Sequence, residues 1–140
     1  MAFAFYQVLI TNSERIMRIA YLSTCLPREC GIATFNDNLI RAIQINLGAK
    51  KIAADEMIVA VNDSDNRDEY EYPKNVKFII RKEEQEDYQR AAEWINNSDT
   101  DVCVMQHEFG IYGGQSGLYI LSLLDRLEKP QNVCRRLAGR

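Results

Sequence analysis

His107 is the chain's only histidine, and Glu108 follows it directly. A histidine titrates near neutral pH, so an imidazole beside a carboxyl group can move a proton if both face a cleft. Arg28 and Gly31 offer different chemistry. A planar guanidinium can grip an anion, and a glycine without a side chain lets a phosphate come close to backbone N–H groups. Gly113 and Gly114 end a stretch with three glycines in five residues, Gly110-Ile111-Tyr112-Gly113-Gly114, which calls for a loop backbone folded tightly against something. Two Asp-x-Asp pairs, Asp63-Ser64-Asp65 and Asp99-Thr100-Asp101, have the oxygen chemistry that holds a divalent cation, but acidic loops produce such pairs by chance. We assign no metal ligands. The cysteines at 25, 30, 103 and 134 form no CxxC pair and no zinc spacing.

These residues need elements that bring them to one place. Ile19 to Leu22 form an apolar run ending in Ser23-Thr24, as in a parallel strand buried on both faces. Pro27 interrupts regular structure. From Gly31, the spacing of Ile32, Phe35, Leu39, Ile43 and Leu47 predicts an amphipathic helix closed by Gly48. Arg28, Gly31 and Ile32 therefore sit between a strand's carboxyl end and a helix start, where open α/β sheets bind ligands. Neither the dinucleotide fingerprint GxGxxG nor the Walker pattern is present.

Further strands are predicted at Glu56–Val61, Val76–Ile80 and Asp101–Gln106, the last delivering His107 and Glu108 at its end. Asn62 to Asn75 is a polar, acidic loop. A helix from Glu83 to Asn96 has Tyr88, Ala91, Ala92 and Ile95 on one face and acids in its first turn. A third helix, leucine-rich and amphipathic, reaches Glu128 with Leu118, Leu121, Leu124 and Leu127 along it and Ile120 and Leu123 beside them. Strands alternating with helices give an α/β fold, a Rossmann-like doubly wound parallel sheet. At 140 residues the chain holds one substantial domain. Its net charge of −3 gives no electrostatic case for nucleic acid. Residues 1–16 read as an extension outside the core, too short to span a bilayer and without a signal-peptide pattern. The cysteine usage fits a reduced, cytoplasmic chain.

With both loops in hand, RIAYLSTCLPRECGIATFNDNLI, then VND with YEYP beyond it, and QHEFGIYGG before a leucine-rich helix resemble the amino-terminal domain of bacterial family 4 glycosyltransferases. The similarity runs over 17–130. It implies the N-terminal half of a GT-B fold, in which two Rossmann-like domains face a cleft. It also implies transfer of a hexose, often mannose or glucose, from a nucleotide diphosphate sugar to a glycan or lipid-linked acceptor. The anomeric configuration is retained and no cofactor or obligatory metal is needed. By the same resemblance Gly31 and Ile32 lie near the donor diphosphate, and His107, Glu108, Gly113 and Gly114 line the acceptor side. In the family a fifth strand after the proline leads to a histidine-threonine pair; here residues 131–140 are polar and basic, and read as a divergent tail with little strand character. The family's second domain carries most donor contacts and two glutamates with seven residues between them, a spacing absent from this chain. A truncated or frameshifted gene would give this pattern, and the chain alone would not turn over. Without a fifth strand the exposed sheet edge would favour self-association. The alternative function is a non-catalytic Rossmann-like binding module or partner subunit.

Overall fold

The computed structural model describes residues 16–108 and 110–135. The expected extension lies outside the described residues except for the exposed Ile16.

Five strands, β1 (Met17–Ser23), β2 (Ala54–Asn62), β3 (Val76–Arg81), β4 (Val102–His107) and β5 (Gln131–Arg135), form one sheet in the order β3-β2-β1-β4-β5. Every neighbouring pair is parallel. The helices are α1 (Gly31–Ala49), α2 (Gln85–Asn97) and α3 (Tyr119–Leu124), the last preceded by a 3-10 turn, Gln115–Gly117. The α/β, doubly wound parallel architecture expected from the sequence is present. The chain winds outward from β1 through β2 to β3, then crosses back to place β4 on the other side of β1. The direction of winding reverses between β1 and β4. In open α/β sheets this is where the loops after two neighbouring strands part and leave a crevice.

Strand alternation sorts the core into two layers. On one face Ile19, Tyr21, Ile58, Ala60 and Val104 meet Ile40 of α1, with Leu39, Ile43 and Leu47 packed at the margin. On the other, Ala20, Leu22, Val59, Val61, Cys103 and Met105 meet Tyr88, Ala91, Ala92 and Ile95 of α2 and Ile120 and Leu123 of α3. The four α2 residues picked out by spacing are all fully buried. Trp94 packs against Phe78, with ring centroids 6.2 Å apart.

Four expectations are corrected. Residues 131–135 are a strand: β5 pairs with β4 from Cys103 beside Gln131 to His107 beside Arg135, so the edge of β4 is covered. Residues 136–140 of the expected tail lie outside the described residues. On α1, Phe35 is 43% exposed and the neighbouring Asn36 is buried, because the inward stripe runs Ile32, Ala33, Asn36, Ile40. Gly48 does not close that helix. It continues through Ala49, and the left-handed residue beyond it is Lys51, at φ 57°. The leucine-rich helix is short, because Ser116 and Gly117 adopt positive φ ahead of it. Its inward residues are Ile120 and Leu123, while Leu118 and Leu121 are largely exposed.

Candidate site at the strand ends

The two loops that carry the candidate residues open at the same end of adjacent strands, since Leu22 of β1 lies beside Met105 of β4. After β1 the chain passes through buried Thr24 and Cys25 and a cis Leu26–Pro27 peptide to Cys30, the N-cap of α1. Cys30 is in extended conformation and its Sγ accepts the Ala33 N–H at 3.4 Å. Thr24 Oγ1 and Cys30 Sγ share a hydrogen bond of 3.1 Å, which ties the strand end to the cap. The first backbone N–H bonded within the helix is that of Thr34, to Cys30 O at 3.2 Å. The amides of Gly31 and Ile32 precede it, at the positive end of a 19-residue helix. Gly31 is exposed and Ile32 is buried with its side chain in the core.

Arg28 is not a solvated loop residue. Its Nη1 donates to the Val61 carbonyl at 3.2 Å, and its Nε lies 3.6 Å from Asp63 Oδ2, leaving the side chain 14% exposed. The guanidinium braces the loop after β1 against the end of β2. Asp63 also accepts the Tyr70 hydroxyl at 2.9 Å, so the first aspartate of the Asp63-Ser64-Asp65 pair is part of this brace. In the second pair, Asp101 accepts the Arg18 N–H at 2.9 Å, at the amino ends of the strands and away from both loops. Among the described residues no group of three or more His, Cys, Asp and Glu side chains could hold a metal ion.

At the end of β4, His107 and Glu108 are both half-buried. Alternation turns His107 toward the layer of Met105 and Gln106 toward that of Val104, where Gln106 is buried. The glycine stretch beyond them is folded against protein. Tyr112 is buried and its hydroxyl donates to the Gln106 carbonyl. The Gly113 N–H donates to Tyr88 Oη at 2.9 Å, and that hydroxyl donates in turn to the Lys82 carbonyl at 2.8 Å. A Cβ on Gly113 would stand 1.8 Å from the Lys82 oxygen, so the loop approaches the end of β3 too closely for any side chain. Gly114, at φ 76°, donates its N–H to Glu83 Oε2 at 3.2 Å and lies against the Tyr119 ring. The amides of Gly113 and Gly114 thus hold the loop to β3 and α2. Burial is the main reason that the Tyr88 hydroxyl is pushed up to about 12, so it stays protonated as a donor.

Sequence reasoning missed Tyr88 as the hinge pin of this loop and Asp87 beside it. Asp87 is fully buried; its carboxylate accepts Arg81 Nε at 2.8 Å, the Arg81 backbone N–H at 3.0 Å and Arg67 Nη2 at 2.8 Å. Burial alone would raise the carboxyl pKa, but the hydrogen bonds from Arg81 and the charges of Arg67 and Arg81 outweigh it and hold it below the ordinary value. In sequence Asp87 was one of several acids in a helix's first turn, and nothing local marked it as the buried one.

No family model matches the chain, and neither the curated proteins nor the solved structures give a significant match. Among the described residues no helix is long and apolar enough to cross a membrane.

Proposed function

We propose that the chain is the acceptor-side, amino-terminal half of a retaining glycosyltransferase that uses a nucleotide diphosphate sugar. One observation carries the reading. The two sequence stretches that resemble family 4 glycosyltransferases, far apart in the chain, end on the same crevice between β1 and β4. The amides of Gly31 and Ile32 would receive the diphosphate at the start of α1, and His107 and Glu108 would face the acceptor from the end of β4. Turnover would need a second domain, in this or another chain, closing over the crevice with the remaining donor contacts.

The second reading, a non-catalytic binding module, draws on the engagement of Arg28, Gly113 and Gly114 within the fold, which leaves the crevice few spare donors.

Titration of the 15N-labelled chain with UDP- and GDP-linked hexoses tests the proposal. Saturable shifts centred on the Gly31 and Ile32 amides are expected, and Gly31→Val, at an exposed first helical position, is expected to abolish them with the rest of the spectrum preserved. No saturable shift from any nucleotide sugar in a folded chain would favour the binding module.

A further inference from the structure

Among the described residues β3 closes the sheet on one side, and a pocket of about 350 Å3 lies along its open edge. Val76, Lys77, Phe78 and Ile79 of β3 line it together with Arg67 from the acidic loop and Arg90 from α2, so it has three cations in its wall and no carboxylate. The two guanidinium groups are held close together. Arg67 Nη2 lies 2.8 Å and Arg90 Nη1 4.0 Å from the same atom, Asp87 Oδ1, so the gap between those nitrogens cannot exceed the two distances laid end to end. Both side chains are half-exposed, and their contacts with Asp87 and Glu86 use only part of the donors on each guanidinium. Nor do the acids cancel the cations. Glu86 pairs with Arg90, but the single charge of Asp87 is shared between Arg67 and Arg81, and exposed Lys77 makes no ion pair among the described residues.

The backbone adds a donor. From Phe78 to Arg81 the pairing with β2 is regular; the Lys82 N–H donates to the Asn62 carbonyl of β2, and the Arg81 N–H turns the other way, to Asp87 Oδ2 at 3.0 Å. Alternation along the strand turns the Ile79 N–H to that same open edge, at the pocket. The edge already shows which chemistry suits it. Beside Arg81, a backbone N–H and a guanidinium together hold the Asp87 carboxylate. Two residues back along β3 the Ile79 N–H repeats that arrangement, with Arg67, Arg90 and Lys77 around it. A peptide strand is a poor occupant, because the register shift between Ile58 and Val59 leaves Lys77 as an extra residue, and a bulge and a lysine both discourage edge pairing. Three cations favour a dianion over a single carboxylate. A phosphate monoester carries about two negative charges at neutral pH, on oxygens that guanidinium groups grip well. Val76, Phe78 and Ile79 offer apolar surface to its organic part. We infer that this edge pocket binds a phosphate monoester with a small apolar body, its oxygens held by Arg67, Arg90, Lys77 and the Ile79 N–H. Gly31, Ile32, His107 and Glu108 are not among its lining residues, so the site stands independently of the sugar-transfer reading.

The probe is phenyl phosphate, titrated into the full 15N-labelled chain at neutral pH and constant ionic strength. Benzoate presents the same ring with a single charge, benzyl alcohol the ring with none, and inorganic phosphate the charge without the ring. Saturable shifts of the Ile79 amide and of the Arg67 and Arg90 Nε–H signals are expected with phenyl phosphate, with weaker binding of benzoate and inorganic phosphate and none of benzyl alcohol. Lys77→Gln removes a charge that no ion pair uses, and Arg90→Gln leaves Asp87 its bonds to Arg67 and Arg81. Each is expected to weaken binding about fivefold with the spectrum otherwise intact. The absence of saturable shifts in the folded protein would overturn the inference. So would binding of benzoate, benzyl alcohol or inorganic phosphate as tight as that of phenyl phosphate, a comparison made on the unaltered chain, or undiminished affinity in either folded variant.

Discussion

At the scale of single residues, Tyr88 and Gly113 show how much of the candidate site is structural. The Tyr88 hydroxyl accepts from Gly113 and donates to Lys82, so one oxygen joins three segments. Tyr88→Phe keeps the ring and orphans both a buried N–H and a carbonyl, a loss of about 2 kcal/mol. Thermal unfolding should register it as a midpoint about 6–10 °C lower. Gly113→Ala should cost more, because its Cβ would meet a backbone oxygen at 1.8 Å and not a yielding side chain. An alanine protein with an unchanged midpoint would mean that the loop does not pack on β3 in solution. Sequence reasoning located this loop at a strand end and demanded close packing of its glycines. It could not tell a ligand from the Lys82 carbonyl as the thing packed against. The brace formed by Arg28 was hidden for a related reason: whether a loop arginine meets a strand-end carbonyl depends on where β2 ends in space.

At the scale of elements, legibility followed burial. β1 to β4 were readable because strands covered on both faces need continuous apolar runs, and α2 because its four buried apolar residues share one helical face. β5 was not, since Gln131, Asn132 and Arg135 lack strand character and pair because β4 offers an edge. Phe35 misled the assignment of α1, as a large apolar residue at nearly the right spacing outweighed the small Ala33 and polar Asn36 that the helix buries. The link between β3, α2 and the acidic loop was hidden altogether, because it rests on Asp87 collecting Arg67 from the loop and Arg81 from the end of β3, two contacts that no spacing pattern marks. Asp87→Asn removes the charge from these bonds and should lower stability at neutral pH by about 1–3 kcal/mol. The pH dependence has a definite sign. A carboxylate held below its ordinary value of 3.8 adds stability above that pH and loses it as pH falls through the folded value. Urea unfolding of both proteins should therefore give curves that differ most at neutral pH and converge below about pH 4. A difference that persisted unchanged into acid would assign the effect to packing.

At the scale of the whole molecule, the sheet is organised outward from β1, the strand that pairs on both sides with long, buried neighbours. The strand ends at β1 and β4 depend on β4 being held in place, and its edge away from β1 is held by β5. That pairing begins at the Cys103 N–H, which donates to the Pro130 carbonyl at 2.8 Å, and runs to His107, the residue proposed to face an acceptor. The segment that sequence reasoning discounted as a strand thus supports the end of the strand that carries His107. Removing residues 131–140 would strip those hydrogen bonds and expose the backbone edge of β4 beside a buried core that includes Cys103 and Met105. The shortened chain should unfold at a markedly lower temperature, and sedimentation should show association that grows with concentration as open edges pair. It should also lose any nucleotide-sugar response at Gly31 only to the extent that the fold is lost, because α1 is anchored on β1 and β2. A shortened chain that stayed monomeric with an unchanged midpoint would mean that β5 contributes nothing in solution, and the support of His107 would then have to come from the loop clamped by Tyr88.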